Sequence, residues 1–435
     1  MKLWQHTYSP QSEIDTLIEN FTIGQDPIWD IYLAKADVQG SLAHANMLYS
    51  IGLLTAQEWQ DAQEGLYSIL ESIENGSFTI ENGIEDVHSQ IEWMLTELKG
   101  EVGKKIHAGR SRNDQSLLDI KLFIKSEIQD ITKKIESLFL QLIGLSDKHQ
   151  HDLLPGYTHF QLAMPSSFGL WFGAYAESLS DDLELLLAAY NMANKNPLGS
   201  GAGYGSSFPL DREQTTELLD FASLNYNVVY AQMTRGKVEK TTAMALSGVA
   251  ATLSKFSMDV CLYMNQNFGF ISFPKKFTTG SSIMPHKKNP DIFELIRAKC
   301  NRIQALPNEL TLLTNNLPSG YHRDMQLTKE CLFPALMSLK SCLDILMLAL
   351  EHIIIKKDIL DDEKYLYLFT VEEVNRLVLS GIPFRDAYHL VSQQVENKSF
   401  AFRKLSLNHT HQGSIGNLCN EEIKKAFFEK LKAFG

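Results

Sequence analysis

Ile120, Ile124, Ile128, Ile131, Ile135, Leu138, Leu142 and Leu145 recur at steps of four and three residues, nearly a heptad seam. A stripe so long and so apolar specifies one long helix, which has to be covered by other long helices, from one chain or from several. The rest of the sequence supplies candidates. A second helix, rich in Leu and Ala, is expected from about Pro165 to Asn194, and helical pattern resumes from about Val228 to Phe268. Pro290 suits the first turn of another, with an apolar stripe at Ile292, Leu295 and Ile296, and Leu332 to Leu350 is the last long one. The expected class is all-α, built on a central bundle of long helices. One chain offers too few long helices to cover several such stripes, so a homotetramer is expected.

Smaller helical parts flank the bundle. Asp37 to Leu54 is amphipathic, Thr55 caps a second helix with Glu58 three residues on, and Glu85 to Glu92 opens another. After Asp358 the helices shorten, with Val371 and Pro383 near the start of two of them. The division expected is 1–110, a central part 111–360 and a small part 361–435.

Of the 435 residues 44% are hydrophobic, enough for a sizeable core, and 21% are charged. A net charge of −12 argues against a nucleic-acid partner, although local field decides whether an anionic ligand is bound. The first residues carry no apolar h-region, and no stretch has the roughly 18 uninterrupted apolar residues of a membrane span, so a cytoplasmic chain without membrane partners is expected. Five dispersed cysteines without a C-x-x-C pair read as reduced thiols.

Several polar breaks carry the candidate chemistry. Gly280-Ser281-Ser282-Ile283-Met284-Pro285-His286-Lys287-Lys288-Asn289-Pro290 sets two serines and two lysines before a helix that begins with Asp291 and Glu294. Orphan N–H groups, a positive dipole end and lysines make such a loop fit for anions. His107-Ala-Gly-Arg110-Ser111-Arg112-Asn113-Asp114-Gln115 presents two guanidinium forks, or else an ordinary turn capped by Ser111 or Asn113. Pro155 to Gln161 is a turn offering Thr158 and His159, and Pro318 to Glu330 is a polar break before the last long helix. The glycine-rich run Asn196 to Ser207 has neither a Walker lysine nor a βαβ context, and reads as a tight surface or active-site loop. His409 and His411, two apart with no acid or cysteine beside them, are poor metal ligands, and no metal site is expected.

The 280–290 loop resembles the signature of the fumarase/aspartase superfamily, whose members cleave C–N or C–O bonds and release fumarate. Further blocks resemble the argininosuccinate lyase family across nearly the whole length: Glu85 to His88, Lys105 to Gln115, Pro155 to His159, Asp324 to Glu330 and Gly381 to Ala387. The resemblance implies a homotetramer with active sites shared between subunits, reversible cleavage of argininosuccinate into arginine and fumarate, and no metal or organic cofactor. It implies Ser281 as the base and Lys287 as stabiliser of the carbanion-like intermediate. His159 becomes the acid, oriented by Glu294. Substrate contacts are implied for Ser111, Arg112, Asn113, Thr158, Arg235, Tyr321, Gln326 and Lys329, with His88, Ser282 and Asn289 beside them. Another fumarate-releasing lyase, or a non-enzymatic crystallin-like relative, is the alternative. The chain departs from the family at Gln5 to Tyr8, at Asp26, where a substrate-contacting serine is usual, and at Gly236 after Arg235.

Overall fold

The computed structural model describes residues 13–81, 83–402, 407 and 409–434, and the side chains of all of these except residues 13–16 and 19. The atypical segment Gln5 to Tyr8 therefore lies outside the described residues.

Among the described residues, five helices exceed twenty residues: Arg112–Lys148, Phe168–Ala193, Lys237–Met264, Asp291–Leu313 and Thr328–Leu350. The chain forms two compact units, the first made of residues 1–131, 185–247 and 302–338, the second of 132–184, 248–301 and 339–435. The boundary falls within each of the five long helices.

The founding stripe is realised as far as Leu142, with Leu145 only half-buried. Ile120, Ile124, Ile128, Ile131 and Ile135 have no exposed surface, and Leu138 and Leu142 nearly none. This one stripe is covered inside a single chain. Leu295 departs from the expected stripe of its helix, at 60% exposed. On the Asp291–Leu313 helix the buried face is instead Phe293, Ile296, Cys300, Ile303 and Leu310. This set keeps the three- and four-residue spacing of one helical face, and Leu295 lies off it.

Two helix expectations are shifted by local chemistry. The one expected from Pro165 starts at Phe168, because Leu153–Thr158 and Gln161–Ser167 pair as an antiparallel hairpin. Its two-residue turn is His159-Phe160, with φ of +54° and +57°. Two left-handed residues in succession define the type I′ turn that matches strand twist, here without the usual Asn or Gly. The helix expected over 228–268 breaks between Val228–Met233 and Lys237–Met264. Gly236 sits in the break at φ +78°, and an added Cβ there would meet Thr314 at 2.9 Å. Its N–H donates to Glu239 Oε2 at 2.7 Å, which closes the first turn of the next helix.

Thr55 accepts from Glu58 N–H while Glu58 accepts from Thr55 N–H, the expected capping box. The stretch 323–350 has the length and mean apolar content of a membrane span, although Lys329, Glu330, Lys340 and Asp344 interrupt its apolar run, as expected. In the fold Leu332, Leu336, Leu339, Leu343 and Leu346 are buried, as in a core helix. All five cysteines are free thiols.

Candidate active site

In the first unit, the start of the Arg112–Lys148 helix organises a cleft. Ser111 Oγ accepts from Asn113 N–H at 3.3 Å, and Asp114 Oδ1 accepts from Ser111 N–H at 2.8 Å. The other Asp114 oxygen accepts from Gly199 and Gly201 N–H at 3.0 and 2.8 Å. The glycine-rich run is thus wrapped on a buried carboxyl, whose pKa burial pushes up to about 6. Left-handed φ at Gly199, Gly201, Gly203 and Gly205 makes the wrap possible.

Arg112, Asn113, Arg235, Tyr321, Gln326 and Lys329 line the cleft together with His88. Ser111 is not among its lining residues; its hydroxyl caps the helix. Every cationic lining side chain but His88 belongs to Arg or Lys, and each of those is paired. Arg112 reaches Glu85 at 3.0 Å and Asp86 at 2.9 Å, and Arg235 reaches Glu239 at 2.7 Å. Arg235 also donates to Ser116 Oγ and Met325 O, both at 3.0 Å. Lys329 pairs with Asp26 at 2.7 Å and lies in direct contact with Asp30. Burial alone would lower the Lys329 pKa, but the two carboxylates outweigh it and hold the amine charged. Burial pushes Asp26 up to about 6 against the pull of Lys329. For Asp86, burial is outweighed by His88 and Arg112, which hold the carboxyl below its usual range. Gln326 donates to Thr22 O and Ile23 O at 3.1 and 2.7 Å, so its amide also ties down the neighbouring helix end.

Sequence reasoning named the cations of this cleft and missed most of its acids. Asp30 and Asp86 line it beside Asp26. A single acid on a helix reads as solvated, and nothing in the spacing signalled that these were buried.

The second unit holds the signature loop and the hairpin tip. The loop is pinched at its neck by Thr279 and Asn289, which exchange backbone hydrogen bonds at 3.3 and 2.8 Å. Asn289 Nδ2 donates to Thr279 Oγ1 at 3.4 Å, and Thr279 Oγ1 contacts the Asp291 carboxylate. Inside the loop, Ser281 Oγ accepts from Ile283 N–H at 3.4 Å and from Met284 N–H at 3.2 Å. Ser282, Lys287 and Lys288 are exposed, and among the described residues neither lysine has an ion pair. Glu294 is exposed in the first turn of the following helix, its N–H donating to Pro290 O at 3.1 Å. Thr158 and His159 are exposed at the hairpin tip. Within one chain, no hydrogen bond or ion pair among the described residues joins His159 to Glu294. His409, expected to lack an acid partner, has Glu372 at 2.8 Å.

Residues 11–305 match the protein family described as Lyase. The chain is 58% identical to an argininosuccinate lyase of Parabacteroides distasonis over 97% of its length and 94% of the relative's. It is 56% identical to that of Bacteroides thetaiotaomicron over 100% and 96%. Among solved structures it resembles EDDS lyase in complex with formate, with a TM-score of 0.74 and 20% identity, over 96% of this chain and 90% of that one. The chain belongs to the argininosuccinate lyase family, within the fumarase/aspartase superfamily, and is a lyase.

Proposed function

We propose that this chain cleaves argininosuccinate reversibly into arginine and fumarate, the last step of arginine biosynthesis, and does so in the cytoplasm. The observation that carries this reading is the identity of more than half the residues, end to end, with relatives of that name. The geometry of the loop supports the chemistry.

The reaction removes a proton from the succinyl carbon β to the departing nitrogen and α to a carboxylate. The electron pair left on carbon forms the double bond of fumarate as the C–N bond breaks, and the guanidino nitrogen takes up a proton. Ser281 is the base. A free serine is a poor one, but two backbone N–H groups already point at its oxygen and would stabilise the alkoxide. Lys287, exposed and, among the described residues, without an ion pair, stabilises the carbanion-like carboxylate. His159 protonates the leaving nitrogen, and Glu294 orients it across a subunit boundary. The rare left-handed backbone at His159 supports this role, since strained residues gather at functional sites. In the cleft, Arg112, Arg235 and Lys329 receive carboxylates, while Asn113, Tyr321 and Gln326 shape it; Thr158, Ser282 and Asn289 complete the contacts near the loop.

The homotetramer rests on a different observation from the one first used. Leu140, Leu185, Met244, Leu295, Leu312 and Leu348, all on the long helices, are between 45% and 67% exposed in the single chain. Apolar side chains repeated along several helices mark a contact surface. Light scattering should give four times the chain mass.

Incubating the purified protein with argininosuccinate and, separately, adenylosuccinate tests the reading by fumarate absorbance. Release from argininosuccinate alone is expected. Release from adenylosuccinate only, or from neither by folded protein, would overturn it in favour of a related lyase or a crystallin-like role.

A further inference from the structure

Two carboxyl groups lie behind the cleft without lining it. Asp37, on the Ala34–Ser50 helix, and Asp119, on the Arg112–Lys148 helix, are 2% and 1% exposed. His88, which does line the cleft, touches both: its Nδ1 is in hydrogen-bonding contact with Asp37 Oδ2 and lies 3.4 Å from Asp119 Oδ2. Asp37 and Asp119 each bring a carboxylate oxygen within 4.8 Å of the other and of the His88 ring. Carboxylates have no donor, so two of them held this close can be joined by a hydrogen bond only if one carries a proton. Asp37 has further donors, since Ser41 Oγ, which receives Arg110 Nη1 at 2.9 Å, lies 3.5 Å from Asp37 Oδ1. Among the described residues Asp119 Oδ2 has no hydrogen-bond partner.

We propose that Asp119 keeps a proton and donates it to Asp37, and that Asp37, the one carboxylate of the pair, holds His88 as an imidazolium at the cleft. Both acids are positioning residues; they act through His88 on a substrate that carries carboxylates, and in this the proposal rests on the functional reading above. Like charges in contact cannot both ionise in a buried site, so one acid must take the proton. Burial, then Asp37 and Asp30, push the Asp119 carboxyl well above the usual range, with Arg110 pulling the other way. Burial alone would lower His88, but Asp37, then Asp86 and Asp30, outweigh it and raise the imidazole. The remaining charged groups around His88 leave that sign intact: Arg112 is paired with Glu85 and Asp86, and Lys329 with Asp26 and Asp30. The three side-chain atoms lie within 4.8 Å of one another, a spacing that could also surround a cation.

The two acids differ in what an amide in their place would do. An amide at 119 can still donate to Asp37, whereas an amide at 37 removes the anion. For fumarate release, Asp37→Asn should lower kcat/KM about tenfold to a hundredfold, the equivalent of one hydrogen bond between charged groups. Because the raised His88 is charged below its folded pKa and neutral above it, Asp37→Asn should also move the alkaline limb of the pH profile to lower pH. Asp37→Glu should restore part of both. Asp119→Asn should keep the parental limb and lose at most about threefold. Equal losses, the reverse order, or an alkaline limb that stays put in Asp37→Asn would overturn the proposal. So would a loss with EDTA that zinc restores. If Asp37→Asn does not fold, Asp119→Asn decides alone by keeping or losing the limb. Histidine-labelled NMR of the substrate-free protein separates the two readings. A high His88 titration that falls in Asp37→Asn sustains the acid pair even if argininosuccinate proves not to be the substrate, and an ordinary titration in the parent overturns it.

Discussion

The cleft of the first unit and the loop of the second treat their cations in opposite ways. In the cleft, Arg112, Arg235 and Lys329 are each neutralised by carboxylates of the same chain. In the loop, Lys287 and Lys288 stand exposed and, among the described residues, without an ion pair. Burial explains the difference. An isolated buried charge costs far more than an exposed one, so a cation inside the fold persists only with a partner. The cleft therefore stores its charges in fixed, paired positions, and a ligand carboxylate has to compete with Glu85, Asp86, Asp26 and Asp30. On the mechanism proposed above, the open charge of the loop is what meets the anion that forms during reaction. Removing a cation should consequently have different effects in the two places.

The largest effect is expected in the loop. Ser281→Ala should cut turnover about 10²- to 10⁴-fold, the usual contribution of a positioned base, while circular dichroism and oligomer mass stay unchanged. Near-normal turnover would remove Ser281 from the chemistry. Next, Lys287→Ala should lower kcat about 10²- to 10³-fold with little change in melting temperature. Lys329→Met, by contrast, should destabilise the fold by about 3–5 kcal/mol, because Asp26 and Asp30 are left without their buried partner. Denaturant titration of both variants checks this contrast, and equal effects on stability would break the comparison. His159→Asn and Glu294→Gln should each be slow, and the double variant scarcely slower than the worse single one. Additive losses would separate the pair, and mixing the two single variants with verified subunit exchange should return partial activity if the residues come from different subunits.

The smallest effect is a control outside both regions. Burial pushes Asp182 up to about 6, although Thr252 donates to it at 2.7 Å. A raised acid stabilises the fold below its unfolded value and loses that contribution as pH rises through the folded one. Asp182→Asn should therefore be more stable than the parent by about 1–3 kcal/mol at about pH 8, and equal to it near about pH 3. A pH-independent difference in denaturant midpoint would contradict the assignment.

The helical frame was legible because its signals are local. The Ile120 to Leu142 stripe and the Thr55–Glu58 box each lie within one helix, and both are realised. The hairpin was hidden because its turn is made by His159 and Phe160 rather than by the Pro155 and Gly156 that mark turns. The anchor of the glycine-rich run on Asp114, and the burial of Asp30, Asp37 and Asp119, depend on residues far away in sequence, which periodicity does not report. The cations of the cleft could be named from their motif; their pairing could not, since Arg112 and Lys329 find partners that no spacing rule links to them.

The division of labour between cleft and loop is tested most directly by calorimetry of argininosuccinate with Ser281→Ala. If recognition rests on the cleft and chemistry on the loop, the variant should bind argininosuccinate with affinity close to the parental KM while releasing fumarate at least about 10²-fold more slowly than the parent. Loss of binding along with turnover, in a protein still folded and oligomeric, would contradict it, as would fumarate release at the parental rate.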